Sequence, residues 1–223
     1  MDIEAKAIRR APRRALSFAL AALMLTGCAL SSPAKFYQLD PLEGSAPIAP
    51  QATPEQRMVV ALGPVRLPDY LERPQIVTRA GRNELSISEF DRWAGSLEDD
   101  VARVLVEDLS GVLMDDGVSV VRDTPHRGGQ APPSCRVEVH VDQFEGTFGE
   151  SVLLKAQWQV FPGGHVVLRR RESLIRREIG GSGYAALAVA MSRALEGLSQ
   201  EIGEEIRASC APEEPARASM AGP

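Results

Sequence analysis

Cysteine, histidine and aromatic side chains are scarce in this 223-residue chain: 3 Cys, 3 His and 5% aromatic residues. The three histidines, His126, His140 and His165, form no H-x-x-x-H pair, and no paired C-x-x-C spacing exists, which argues against a zinc site. Long hydrophobic runs are missing as well. Ala15 to Leu25 is apolar, but a membrane-spanning helix needs about 20 such residues, so a permanent transmembrane anchor is not expected. Basic charge is short outside the N-terminus. Residues 1–27 carry Lys6, Arg9, Arg10, Arg13 and Arg14 against Asp2 and Glu4, leaving 20 basic and 28 acidic residues, a balance of −8, for the rest. A body that acidic is a poor match for nucleic acid, and it lacks a polybasic segment for an anionic membrane surface. With 44% hydrophobic and 25% charged residues, the chain is also neither collagenous, coiled-coil nor wholly disordered.

The N-terminus is the most informative stretch. The four arginines, the short apolar segment and Leu25-Thr26-Gly27-Cys28 together read as an export signal ending in a motif that resembles the lipobox of bacterial lipoproteins. Arg13-Arg14-Ala15-Leu16-Ser17 matches the twin-arginine pattern poorly, so the general secretory route is expected. The lipobox resemblance makes Cys28 the lipidation site, its thiol carrying diacylglycerol and the new N-terminus further acylated. Two or more acyl chains anchor stably where one does not. Ala29 follows the cysteine in place of the Asp that favours inner-membrane retention. The expected location is therefore the inner leaflet of the outer membrane, with the domain in the periplasm.

The chain divides into a signal peptide (1–27), a lipid-anchored N-terminus with a short leading strand and a Pro-rich linker (28–56), a globular domain (57–210) and a polar tail (211–223). Phe36–Leu39, Met58–Leu62, Gln75–Arg79, Glu84–Ser88 and Val118–Val121 read as short strands, and Arg136–Phe144, Val152–Phe161 and Val166–Ile179 as longer ones. Val137, Val139 and Val141 alternate with Glu138, His140 and Asp142, the pattern of a sheet with one covered face. Ser96-Leu97-Glu98-Asp99 resembles a capping box opening a helix striped by Leu97, Val101, Val104, Leu105, Val112 and Leu113, with Gly117 placed to end it. A second helix from Gly183 to about Ser209 carries the stripe Tyr184, Leu187, Met191, Leu195, Leu198, Ile202 and Ile206. The expected class is α+β: a mostly antiparallel, mixed sheet with two long helices on one face.

No catalytic pattern rises above background. Gly181-Ser182-Gly183-Tyr184-Ala185-Ala186 matches G-x-G-x-x-A, but no strand follows its helix to complete a dinucleotide-binding unit, and Tyr184 breaks the nucleophile-elbow pattern. No enzymatic activity, cofactor or metal is expected. Cys135 and Cys210 are the cysteines left once Cys28 is acylated. An oxidising periplasm makes them a candidate disulfide, with two isolated thiols as the alternative. Pro68 and Pro74 stiffen the bend around Asp69-Tyr70-Leu71-Glu72, which either presents a partner surface or plugs one end of the core. Phe90 and Trp93 pose the same choice, with the core favoured for Trp93.

The run Leu62-Gly63-Pro64-Val65-Arg66-Leu67-Pro68-Asp69-Tyr70-Leu71-Glu72-Arg73-Pro74-Gln75-Ile76-Val77-Thr78-Arg79, with Glu89 to Ala94 and Leu97 to Asp100 after it, closely resembles the ABC-type transport auxiliary lipoprotein family (PqiC-like). The Phe36-Tyr37-x-Leu39 strand and the lipobox fit the same family. The resemblance implies a periplasmic lipoprotein subunit working with an MCE-domain protein and the membrane components of one transport system, moving lipids or other hydrophobic molecules between the two membranes. It implies no catalytic residues. Pro68, Asp69, Tyr70, Leu71 and Arg73 are the candidate partner-binding residues, and assembly into a homo-oligomer is compatible with the sequence. Two other classes stay open: a lipid carrier with an internal apolar pocket, and a cell-envelope enzyme with clustered carboxylates.

Overall fold

The computed structural model describes residues 32–41, 58–123, 133–163 and 170–210. Cys28, the export segment, the Pro-rich linker and the C-terminal tail lie outside them, as do His126 and His165. All described elements belong to one unit, Ala34–Pro223. In chain order they are β1 (Lys35–Tyr37), β2 (Met58–Arg66), a 3₁₀ turn (Asp69–Leu71), β3 (Gln75–Gly81), β4 (Glu84–Trp93) and α1 (Leu97–Val112). A second 3₁₀ turn (Met114–Asp116) leads to β5 (Val118–Arg122), β6 (Cys135–Gly146), β7 (Ser151–Pro162), β8 (Arg171–Glu178) and α2 (Gly183–Cys210).

The fold is α+β, and its strands form two mixed sheets where the sequence pattern suggested one. A five-stranded sheet runs β5-β2-β6-β7-β8, and a three-stranded sheet runs β1-β4-β3. In the larger sheet β2 is parallel to both β5 and β6, while β6, β7 and β8 are antiparallel. In the smaller one β1 is parallel to β4, and β3 and β4 form a hairpin. Parallel pairs are thus as frequent as antiparallel ones, because the segment between β2 and β5 is long enough to cross over and includes α1. Strand β2, with a parallel neighbour on each side, is correspondingly apolar through Val60, Ala61 and Leu62, all buried.

Both helices cover the inner face of the larger sheet, α1 over β5 and β2 and α2 over β7 and β8. That face is lined by alternate residues of β7: Val152, Leu154, Ala156, Trp158 and Val160. The Ser96 hydroxyl accepts from the Asp99 N–H at 3.3 Å, and Glu98, Asp99 and Asp100 place negative charge in the first turn of α1, where the helix dipole favours it. At the other end Gly117 takes a left-handed conformation (φ 66°), closing the second 3₁₀ turn rather than α1 itself. Arg207 of α2 donates to the Val112 carbonyl at 2.6 Å and to Asp116 at 2.8 Å, so one helix caps the last turn of the other.

The layer between helices and sheet is tightly filled. Phe144, Leu154, Leu187, Met191, Leu195 and Leu198 are fully buried. A methyl group at Gly146 would stand 2.5 Å from Leu187 Cδ1, and one at Gly203 would stand 2.6 Å from Val112 Cγ1, so these glycines permit close approach. The segment after β1 is stitched to both helices. Leu39 is buried; its N–H donates to Asp100 Oδ2 at 2.7 Å and its carbonyl accepts from Arg103 at 2.6 Å. The Asp40 N–H donates to Ser192 Oγ at 3.0 Å. Partial burial works against the Arg103 charge, but Asp100 and Glu107 outweigh it and hold its pKa above the ordinary value.

Candidate functional site: a braced turn over a buried carboxylate

The Pro68–Pro74 segment folds as the proline spacing requires. Pro68 is extended (φ −70°, ψ 145°), and its carbonyl accepts from the Leu71 N–H at 2.8 Å to close the 3₁₀ turn. Pro74 has no N–H, but its carbonyl accepts from the Trp93 N–H at 2.7 Å, tying the end of the bend to β4. Leu71 and Trp93 are buried in the core, whereas Phe90 is exposed. Tyr70 and Pro68 are half-buried, and Asp69, Glu72 and Arg73 are open to solvent. Of the five candidate partner residues, the structure therefore leaves Asp69 and Arg73 outermost and turns Leu71 inward.

Tyr70 reaches a group that the sequence pattern did not single out. Glu145 of β6 is buried, and its side chain has no solvent exposure. Its Oε2 accepts from the Tyr70 hydroxyl at 2.6 Å and from the Phe144 N–H at 3.2 Å. Its Oε1 accepts from Arg79 Nε at 2.9 Å and Nη2 at 2.5 Å, and from Gln143 Nε2 at 2.7 Å. A buried carboxylate is tolerable only when paired and hydrogen-bonded, and this one has five donors on two oxygens. Burial, the hydrogen bond to Glu145 and the charge of that carboxylate raise the Tyr70 hydroxyl well above its ordinary pKa, against smaller opposing effects of the Phe144 backbone and Arg79.

A register shift between Val141 and Gln143 explains how a glutamate comes to lie there. Before it, Val137, Val139 and Val141 face the helices; after it, Phe144 does, and Glu145 turns to the opposite face beside β3 and the turn. Strict alternation through Phe144 misses the switch, and the repeated Val pattern stopping at Val141 is the one sequence signal for it. With its acceptor sites occupied from several directions, Glu145 is a brace between two sheets.

The other candidates are placed as follows. Cys135 is the first residue of β6 and Cys210 the last of α2; the structure sets their sulfurs in bonding contact with a Cα separation of 6.2 Å. His140 is exposed, 3.6 Å from Asp142. Among the described residues no group of three or more His, Cys, Asp or Glu could hold a metal ion, and no helix is long and apolar enough to cross a membrane. Gly183 opens α2 with φ 79°, and among the described residues no strand follows that helix.

No curated protein matches the sequence. Two of the crystal structures that share the fold are similar over most of the chain. One, of an uncharacterised protein, is 20% identical, with a TM-score of 0.63 over 78% of this chain and 99% of its own. The other, of a protein from Xanthomonas campestris, is 17% identical, with a TM-score of 0.56 over 76% of this chain and 93% of its own. Residues 37–203, which contain the braced turn, Glu145 and most of α2, match the family described as the ABC-type transport auxiliary lipoprotein component, and the chain belongs to that family.

Proposed function

We propose that this chain is a non-catalytic accessory subunit of an ABC/MCE-type envelope transport system, a lipoprotein anchored through Cys28 in the inner leaflet of the outer membrane with its domain in the periplasm. In this reading it works with an MCE-domain protein and the membrane components of the same system as lipids or other hydrophobic molecules pass between the two membranes. The family match over residues 37–203 carries the reading. The braced turn supports it: a rigid rim presenting Asp69, Glu72 and Arg73 loses little conformational freedom on docking, which favours partner binding.

The alternative, a carrier holding lipid between sheet and helices, is disfavoured by the filled layer around Phe144, Leu187 and Met191. Photo-crosslinking in intact cells separates the two. A crosslinker at Asp69 or Arg73 is expected to capture an MCE-domain protein or another component of the system, and one at Arg170, across the larger sheet, is not. Failure to capture such a protein from either turn position, together with lipid copurifying in fixed stoichiometry, would replace the accessory reading with the carrier.

A further inference from the structure

Aromatic residues are few, two Trp, three Tyr and six Phe, yet five of them gather where the chain emerges from its N-terminal segment. The Tyr37 ring lies 6.2 Å from that of Tyr184 at the start of α2, and Phe148, on the β6–β7 hairpin, packs edge-on against Tyr184 at 5.0 Å. Phe148 remains 42% exposed. Phe36 pairs beside Arg92 on the other face of β1 and is 64% exposed, and Phe90, in the irregular part of β4 just before that pair, is exposed as well. Val189, one turn of α2 further on, is exposed as well. Apolar rings therefore protrude on both sides of β1, although a free-standing domain gains nothing from showing them to water.

The position of these rings relative to the anchor decides what they face. Six residues, Ala29 to Ala34, separate Cys28 from β1, so the seven steps to Lys35 span at most about 25 Å. Helix α2 carries the fold away from Tyr184 to Arg207 over about 35 Å. A chain held at Cys28 thus keeps its aromatic end within reach of the bilayer, with Met114 and Arg207 far from it. Phe, with Trp and Leu, is among the side chains that interfacial segments bury at the headgroup–acyl boundary. We infer that Phe36 and Phe148 mark a membrane-docking end, by which the domain rests on the phospholipid surface that holds its anchor. The inference builds on the lipidation of Cys28. Once anchored, the contact is intramolecular, so a patch too weak to bind lipid from free solution still stays docked. The contact is apolar, in keeping with the lack of a polybasic segment.

The test uses the full-length lipoprotein reconstituted into vesicles of phosphatidylethanolamine and phosphatidylglycerol, with or without brominated acyl chains. Phe36→Trp, Phe148→Trp and the distant control Met114→Trp are compared after subtracting the signal of the wild-type Trp93 and Trp158. Brominated lipid is expected to lower the added emission of Phe36→Trp and Phe148→Trp roughly twofold, the scale of shallow interfacial burial, and to leave Met114→Trp unchanged. The Cys28→Ala chain is expected to stay out of the vesicles on flotation. Equal quenching at all three positions, or none, overturns the docking end while leaving the anchor intact. Blue-shifted but unquenched emission at Phe36 and Phe148 also overturns it and assigns the patch to a protein contact, a second copy included. If the wild-type chain fails to float with the vesicles, the Cys28 reading falls first, and the docking end falls with it.

Discussion

The Tyr70 hydroxyl lies 2.6 Å from Glu145 Oε2, joining residues 75 positions apart and locking the turn before β3 to the outer face of β6. Arg79 closes the other side of the same carboxylate. Tyr70→Phe removes one donor from a buried acceptor and is expected to cost about 1–2 kcal/mol. Arg79→Ala strips the ion-pair partner. With Arg79 itself partly solvated, a loss of about 2–3 kcal/mol is expected, below the value for a fully buried pair. Urea unfolding of the two single variants and the double variant measures both effects and their coupling. Losses within error of zero would mean that the carboxylate does not brace the turn.

Two tyrosines predict how stability responds to alkali. Burial first, then the hydrogen bond to Asp91 and that carboxylate's charge, push the Tyr37 hydroxyl up to about 12, and Tyr70 is raised as well. A phenol is charged when deprotonated, with an ordinary pKa of about 10. Between pH 10 and the raised folded value, the native state binds more protons than the unfolded one, so stability falls as pH rises. The contribution is fully present below about pH 10 and is lost through the folded pKa. Tyr37→Phe and Tyr70→Phe should each flatten the decline of unfolding free energy above pH 10. Slopes identical to wild type would show that neither hydroxyl is held protonated by the fold.

Local rules in the sequence reach the helices and the strand faces, and then stop. Ser96 and the apolar stripes mark α1 and α2 because capping and 3.6-residue periodicity are properties of a single segment. Alternation likewise marks β7 from Val152 to Val160. It does not record strand direction, since parallel and antiparallel pairs alternate alike, so the parallel neighbours of β2 and the second sheet are invisible to it. Gly63-Pro64 reads as the end of a strand, yet β2 continues to Arg66. Pro64 is exposed and falls in the register shift between Leu62 and Val65, where no ladder hydrogen bond is required of it. Glu145 was illegible for a related reason: the shift after Val141 resets which residues face the core. Tyr70 and Leu71 stood between partner surface and core plug. The structure resolves Leu71 into the core, because a tertiary contact, not the prolines, decides which side of the bend is covered.

Cys28 provides a direct test of anchoring. Cys28→Ala removes the thiol that would carry the acyl chains and should release the domain from washed membranes. Fractionation after high-salt washing checks this, and a variant that still sediments with membranes would sink the lipidation. Ala29 adds a second readout: density separation should place the wild-type protein with the outer membrane, and recovery in the inner membrane would contradict the sorting argument.

The Cys135–Cys210 pair makes the last prediction. The two residues terminate elements that the core already packs together, β6 and α2, and their Cα separation of 6.2 Å lies within the range a disulfide can bridge without moving the backbone. In an oxidising compartment the bond should therefore form, clamping the C-terminal turn of α2 to the start of β6. It would close a loop of 75 residues, for which chain entropy alone assigns about 4.5 kcal/mol, while disulfides typically deliver roughly 2–4 kcal/mol. Alkylation of the denatured, unreduced mature protein is expected to label neither cysteine, and prior reduction should expose both. Reduction, or Cys210→Ser, should lower the unfolding free energy by a similar amount while leaving the helical signal intact, because Ile202 and Ile206 still hold α2 in the core. Two labelled cysteines without reduction would show that the thiols sit side by side unbonded.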